Sequence, residues 1–415
     1  MTQGQLPRTG MDPDEVVRRR LHAQRLRGPG LGSPEDAVRH LLAVQAQEFP
    51  YARWSLAQRT GSPGAAVGAP SHRVAAEAAV ATAAEVEEAV SDGRILRTHI
   101  LRPTWHFVHR EDLRWLTALS APRLHQGNAG MYRQTGIDAA AADRSGQVLA
   151  EAVRGGSHLT REQLAARLQD EGFGATGFGL AYLIMHAEIS GILTSGSPVR
   201  SRGGALKQTY ALFDERVPAG PAIPLTRTEA LSELVRRYFT SRGPATVKDC
   251  ADWSGLTMAD VRLGLQQSLA AAPETLATSV IDGVEHYFDA GADGGSEAGT
   301  EASNATPAAG PRIDLIQCYD EYVMGYSATR HYLGGSAPAF PVAGDPMHVV
   351  LLDGRMAGCW RHTMFSGRCE LDIRLSAAAD RATEDAVQDA VDRYGAFLGI
   401  PAARVGSGVK LEGHI

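Results

Sequence analysis

The stretch TVKDCADWSGLTMADVRLGLQQSL, starting at Thr246, restricts the fold more than any other part of the chain. Ala251, Gly255 and Val261 stand four and then six residues apart. A helix-turn-helix needs a small residue where its helices cross, a glycine for the left-handed turn and an apolar anchor in the second helix. The hairpin candidates LATSVID and EHYFD follow at once. Together they predict a winged helix; a generic helical hairpin is the competing reading.

The same order, helices and then a short hairpin, is readable twice upstream. In the first unit Ser33 is a helix cap, with Pro34 in the first turn and Asp36 completing a capping box. Val38, Leu41 and Leu42 form the buried stripe of that helix. A second helix follows Pro50, and an Ala-rich third runs near residues 75 to 91. RILRTHI and TWHFVH then alternate like paired strands broken at Pro103. In the second unit TREQLAARL and GLAYLIMHAEISG read as helices, and ILTSG and QTYALF flank the turn SPVRSRGGALK. ALSELVRRYFTSRG opens the third unit.

Residues 290 to 311 are small, polar and rich in Gly and Ala, so they cannot bury a core and read as a flexible linker. Beyond them, IDLIQCYDEYVMGY leads into VVLLDG, MAGCWRHTMF and RCELDIRL, strand-like runs with turns at Asp353-Gly354 and Ser366-Gly367. A helix, DAVQDAVDRYGAFLG, closes the chain. The expected fold class is α+β: tandem winged-helix units and a C-terminal α+β domain. The expected divisions are 13–125, 126–215 and 216–289 for the three units, 290–311 for the linker and 312–415 for the last domain. Residues 1 to 12 read as a disordered lead.

A net charge of −6 excludes a wholly basic nucleic-acid coat, so any polyanion site is a local patch. Cys250, Cys318, Cys359 and Cys369 form no CxxC pair, which argues against a zinc ribbon and for reduced thiols in a cytoplasm. No apolar run is long enough to span a membrane, and MTQGQLPRTGMDPDE lacks the apolar segment of a signal peptide.

The segment LLAVQAQEFPYARW places two amides, Gln45 and Gln47, around one alanine where a helix should be finishing. On a helix, residues two apart point about 200° apart. Gln45 continues the stripe of Val38, Leu41 and Leu42, and Gln47 joins it if the helix unwinds near Ala46, ahead of Pro50. A glutamine is no base at neutral pH, but its carbonyl holds a water and its NH₂ donates. A buried amide bonded to backbone at a helix end is the plainer reading of Gln45.

Arg97, His99, Arg102, Trp105, His106 and His109 crowd the first hairpin. Arginines on a wing suit phosphates, and an exposed aromatic suits a base stack. Core packing is the other reading for Trp105 and Phe107. Odd separations put His99, His106 and His109 alternately on opposite faces of a strand, which argues against a metal site. Arg200, Arg202 and Lys207 lie in the second hairpin turn without an acid among them, either as a solvated turn or as a phosphate-contacting wing. Tyr319, Asp320, Glu321 and Tyr322 form an acidic-aromatic cluster that supplies a carboxylate or ties domains together.

The three winged units, the QAQ segment, LRPTWHFVHREDL and QCYDEYVMGY together resemble the bacterial winged-helix DNA glycosylases of the AlkZ type, over about residues 15 to 400. The resemblance implies a concave DNA-binding surface and excision of N7-alkylated purines, interstrand crosslinks included. Its catalytic signature, glutamine–aliphatic–glutamine, matches Gln45-Ala46-Gln47. The expected activity is therefore metal-free and cofactor-free hydrolysis of an N-glycosidic bond. The partner would be double-stranded DNA carrying alkylated purines, bound by a cytoplasmic, nucleoid-associated monomer. DNA contacts are expected from Arg97, His99, Arg102, Trp105, His106, Arg200, Arg202 and Lys207. A non-catalytic winged-helix regulator is the alternative; such regulators usually pair identical wings over palindromic half-sites.

Overall fold

The computed structural model describes residues 8–61, 80–174, 176–201, 204, 206–220, 224–293, 310–334 and 347–405. The helix-turn-helix is present as read. Helices Val247–Ser254 and Met258–Ala271 flank Gly255, which adopts the left-handed conformation at φ 69°. Both helices carry capping boxes, at Thr246/Asp249 and Thr257/Asp260. Ala251 and Val261 are buried, and strands Leu276–Ile281 and Val284–Asp289 form the wing. Gly255 is required for a second reason. A Cβ there would sit 2.5 Å from the Leu101 carbonyl oxygen of the first hairpin, so this turn packs directly against the first unit.

The start of the chain differs from the expected disordered lead. Arg8–Thr9 add a parallel strand beside Leu276–Ile281, and Asp12 caps helix Pro13–Ala23. That helix contributes Val17 and Leu21 to a core with Ile316, Tyr322, Leu333 and Leu351 rather than to the first unit. Residues 1–7 lie outside the described residues, as do 294–309 of the expected linker, of which 290–293 form a 3-10 turn. The Ala-rich helix is shorter than expected, Ala83–Ser91 behind a Thr82/Glu85 capping box, and 62–79 lie outside the described residues.

The larger correction concerns QAQ. Ser33 caps helix Pro34–Leu41 as expected, but the helix stops at Leu41. Leu42 takes φ 67°, and Ala43–Gln45 form a strand. The reason is that two cores meet here. Leu41, Val44 and Ala46 are buried with Val38, Leu56 and Phe107, whereas Leu42 and Ala43 are buried with Leu96, Val108 and Leu234. A helical stripe feeds one core; an alternating strand feeds one on each face. Burial of the Leu42 side chain offsets the cost, about 1–3 kcal/mol, of its positive-φ backbone.

Strands Ile95–His99 and Trp105–His109 pair on either side of Leu101, and Ala43–Gln45 adds to the outer edge of Trp105–His109. Helix Arg110–Gln134 then runs straight through the division expected at residue 125, so the first two units share an element. The second unit pairs Leu193–Ser195 with Thr209–Leu212, and its turn carries a small ribbon, Val199–Arg200 with Leu206–Lys207.

Among the described residues the C-terminal sheet has five strands in chain order, from Ile313–Ile316 to Ala402–Val405, the last one parallel. Helix Arg381–Leu398 covers it. Tyr51, Trp54 and Ala57 of the first unit are buried in the same core as Trp360, Tyr394 and Phe397. Trp54 Nε1 also donates to the Leu315 carbonyl at 2.6 Å. First unit and C-terminal domain are thus welded together, with QAQ between them.

Candidate active site

Gln45 lies at the end of its strand, opposite His106, which in turn faces Thr98. These three side chains share one face of the sheet; Arg97, His99 and Trp105 share the other. Gln45 is 3% exposed. Its backbone is held on both sides by the C-terminal domain: its N–H donates to Glu321 Oε1 at 2.9 Å, and its carbonyl accepts from Gln317 Nε2 at 3.3 Å. Its side-chain Oε1 accepts from Arg102 Nη2 at 3.0 Å. A guanidinium only donates, so this contact fixes which end of the amide is oxygen. Oε1 retains a second lone pair.

Ala46 is buried and donates its N–H to the Trp105 carbonyl at 2.7 Å. Gln47 is exposed, in the bend before helix Phe49–Ala57. Arg97 holds that bend from beneath: Nε donates to Ala46 O at 2.9 Å and Nη2 to Gln47 O at 3.2 Å. The two amides therefore stand at the end of a strand and in the bend after it, and not on an unwinding helix.

Behind Gln45 lies a buried charge network. Glu321 Oε2 accepts from Arg242 Nη2 at 2.6 Å and from Trp253 Nε1 at 2.7 Å, with neither member of the ion pair exposed. Its neighbour Asp320 takes Arg59 through both oxygens, at 2.6 and 2.9 Å. The cluster at 319–322 therefore ties domains together, and Glu321 is part of the support of Gln45. Gln317, Arg242, Trp253 and Arg59 were not among the expected site residues. An arginine within SELVRRYFTSRG carries no mark in the sequence of being buried.

Three expected DNA contacts are corrected by burial. Arg97 is 7% exposed, His99 7% and His106 fully buried. Arg97 spends its donors on Ala46, Gln47 and Gln208 and stacks over Trp105 at 4.4 Å. Burial lowers its pKa to about 10, so it stays charged at neutral pH. His99 Nδ1 meets Glu188 Oε2 at 2.6 Å. His106 Nε2 faces Arg102 at 3.3 Å, and burial, then that cation, push its pKa well below the ordinary value. The first hairpin is an internal brace, packed between the units, and not an exposed wing. Arg102 and Trp105 are half-buried, and so retain a surface.

In the second hairpin Arg200 is exposed, yet it pairs with Glu87 of helix Ala83–Ser91, and Lys207 with Glu162 at 3.2 Å. The turn has no acid in its own sequence but finds two across the fold. Arg202 lies outside the described residues. Among the described residues no group of three or more His, Cys, Asp or Glu is placed to hold a metal ion, and no helix is long and apolar enough to cross a membrane.

The model of one protein family, DNA glycosylase AlkZ-like, matches residues 38–397. The chain belongs to that family. This AlkZ-like chain is a DNA glycosylase that acts on DNA. Its fold is similar to that of Streptomyces sahachiroi DNA glycosylase AlkZ, with a TM-score of 0.64 at 20% identity over 94% of this chain and 99% of the other. No curated protein sequence matches the chain.

Proposed function

We propose that this glycosylase hydrolyses the N-glycosidic bond of N7-alkylated purines, bulky adducts and interstrand crosslinks included, with water held by Gln45 and Gln47. The observation that carries the reading is the fixed amide of Gln45. Arg102 takes one lone pair of Oε1, and Glu321 and Gln317 hold the backbone. A water on the remaining lone pair is positioned before the substrate arrives.

The chemistry asks for little more. An N7-alkylated purine carries positive charge and is already a good leaving group. What remains is to place water against the oxocarbenium-like sugar and to stabilise its charge with preorganised dipoles. An unalkylated base leaves too poorly, so chemical selectivity follows without tight base reading. Phosphate and base contacts are assigned to Arg102, Trp105, Arg200, Arg202 and Lys207. Arg97, His99 and His106 act as supports of the site. The protein works as a monomer on duplex DNA, because three non-identical units stand in one chain.

Incubation with a duplex containing N7-methylguanine, followed by detection of abasic sites, tests the reading. Abasic sites should accumulate, and should do so equally in EDTA, since His99, His106 and His109 engage Glu188, Arg102 and Arg39 instead of converging. Intact DNA, or activity that needs a divalent ion, would refute it.

A further inference from the structure

Hydrolysis releases a proton, and neither glutamine can take it. Water adds its oxygen to C1′, the C1′–N9 electron pair leaves with the purine and cancels its positive charge, and one water proton must find a base. The supporting carboxylates are occupied. Glu321 and Asp320 are fully buried and bound to Arg242 and Arg59. Glu188 is buried against His99.

Glu48, the residue after Gln47, differs from these. Its side chain is 32% exposed, and among the described residues no arginine or lysine pairs with it. Its Oε2 lies 3.4 Å from Nε2 of His348, which is itself buried. The Cys318 N–H donates to His348 Nδ1 at 3.2 Å. That contact leaves the ring proton on Nε2, the ring nitrogen nearest Glu48. Tyr51 packs on the imidazole with 3.7 Å between ring centroids, so the ring cannot turn freely. Cys318 and Tyr319 from the C-terminal domain and Tyr51 from the adjacent helix are the other titratable groups that feel the Glu48 charge. All are acids that stay neutral near pH 7, since burial raises the pKa of each.

We propose that Glu48, which lies against His348, is the general base that accepts the proton of the water held by Gln45 and Gln47. The inference rests on the glycosidic reading above and adds the residue that closes its proton balance. As the C1′–O bond forms, the proton passes to a Glu48 carboxylate oxygen and then to bulk solvent through the exposed side of the group.

Single-turnover excision of N7-methylguanine by wild type and by Glu48→Gln, measured across pH together with DNA affinity and melting temperature, tests this. Glu48→Gln keeps the shape of the side chain and should fold and bind DNA like wild type. It should excise about a hundred- to ten-thousand-fold more slowly, the range of a positioned general base. The pH dependence of excision should differ between the two proteins, because only wild type carries the carboxylate. Excision by Glu48→Gln within threefold of wild type at every pH would overturn the proposal and leave the glycosidic reading intact. Absence of excision by wild type would remove both.

Discussion

The backbone amide of Gln45 donates to Glu321 across 276 residues of sequence. One carboxylate from the C-terminal domain thereby joins the QAQ strand to Arg242 at the end of helix Arg227–Arg242 and to Trp253 of the helix-turn-helix. The QAQ strand is held by three separate parts of the chain.

Removing that carboxylate should therefore be costly. Glu321→Ala leaves Arg242 buried without its counter-ion and should destabilise the fold by about 3–5 kcal/mol. Replacing both partners, Glu321→Leu with Arg242→Met, should cost less than the single change, because no unpaired charge remains. Urea denaturation of the three proteins checks this. Equal losses in the single and double variants would mean that the pair is not the source of the effect.

Acid should weaken the fold earlier than carboxylate titration alone would allow. Burial lowers His40 to about 4 and His362 to about 3, and it pushes His106 well down. Above the unfolded value near 6.5 both states are neutral and the shift contributes nothing. As pH falls below that value, the unfolded chain binds protons that the folded one refuses. Stability should then drop, by up to about 2 kcal/mol per histidine between pH 6.5 and 5. Urea midpoints that stay level between pH 7.5 and 5 would contradict this.

The second hairpin should contribute charge and not stability. Arg200 and Lys207 are exposed, and their partners Glu87 and Glu162 are reached across the surface. Arg200→Ala with Lys207→Ala should weaken binding uniformly across DNA sequences and flatten the salt dependence by up to about 2 units of log–log slope. Melting temperature should hardly move, because exposed pairs contribute little. Unaltered affinity would make the turn a plain solvated loop, and a large loss of melting temperature would make its arginine structural.

Local signals carried the legible part of the fold. Gly255 with Ala251 and Val261, the Ser33 cap, and the Asp353-Gly354 and Ser366-Gly367 turns all work through neighbouring backbone, so they are readable without tertiary context. The strand at Ala43–Gln45 was not readable, because its alternation depends on two cores built by residues far along the chain. The same holds for the first hairpin. Its Arg97, His99 and His106 look like a basic wing in sequence and become a brace because Glu188, Gln208 and Arg102 meet them inside. The family motif marks the two glutamines; the support of Gln45 by Glu321 and Gln317 comes from contacts that no spacing in the sequence encodes.

The central claim is that Gln45 and Gln47 hold the hydrolytic water, and single-turnover excision of N7-methylguanine by Gln45→Ala and Gln47→Ala tests it most directly. The two positions differ in burial, so stability should separate them: Gln45→Ala removes one of the two acceptors of Arg102, leaving His106 Nε2, and lowers the melting temperature, while Gln47→Ala, at an exposed site, does not. Both should nevertheless slow excision, by about ten- to a thousand-fold, the scale of one positioned dipole, with DNA affinity nearly unchanged. Full excision rates in both variants would contradict the account.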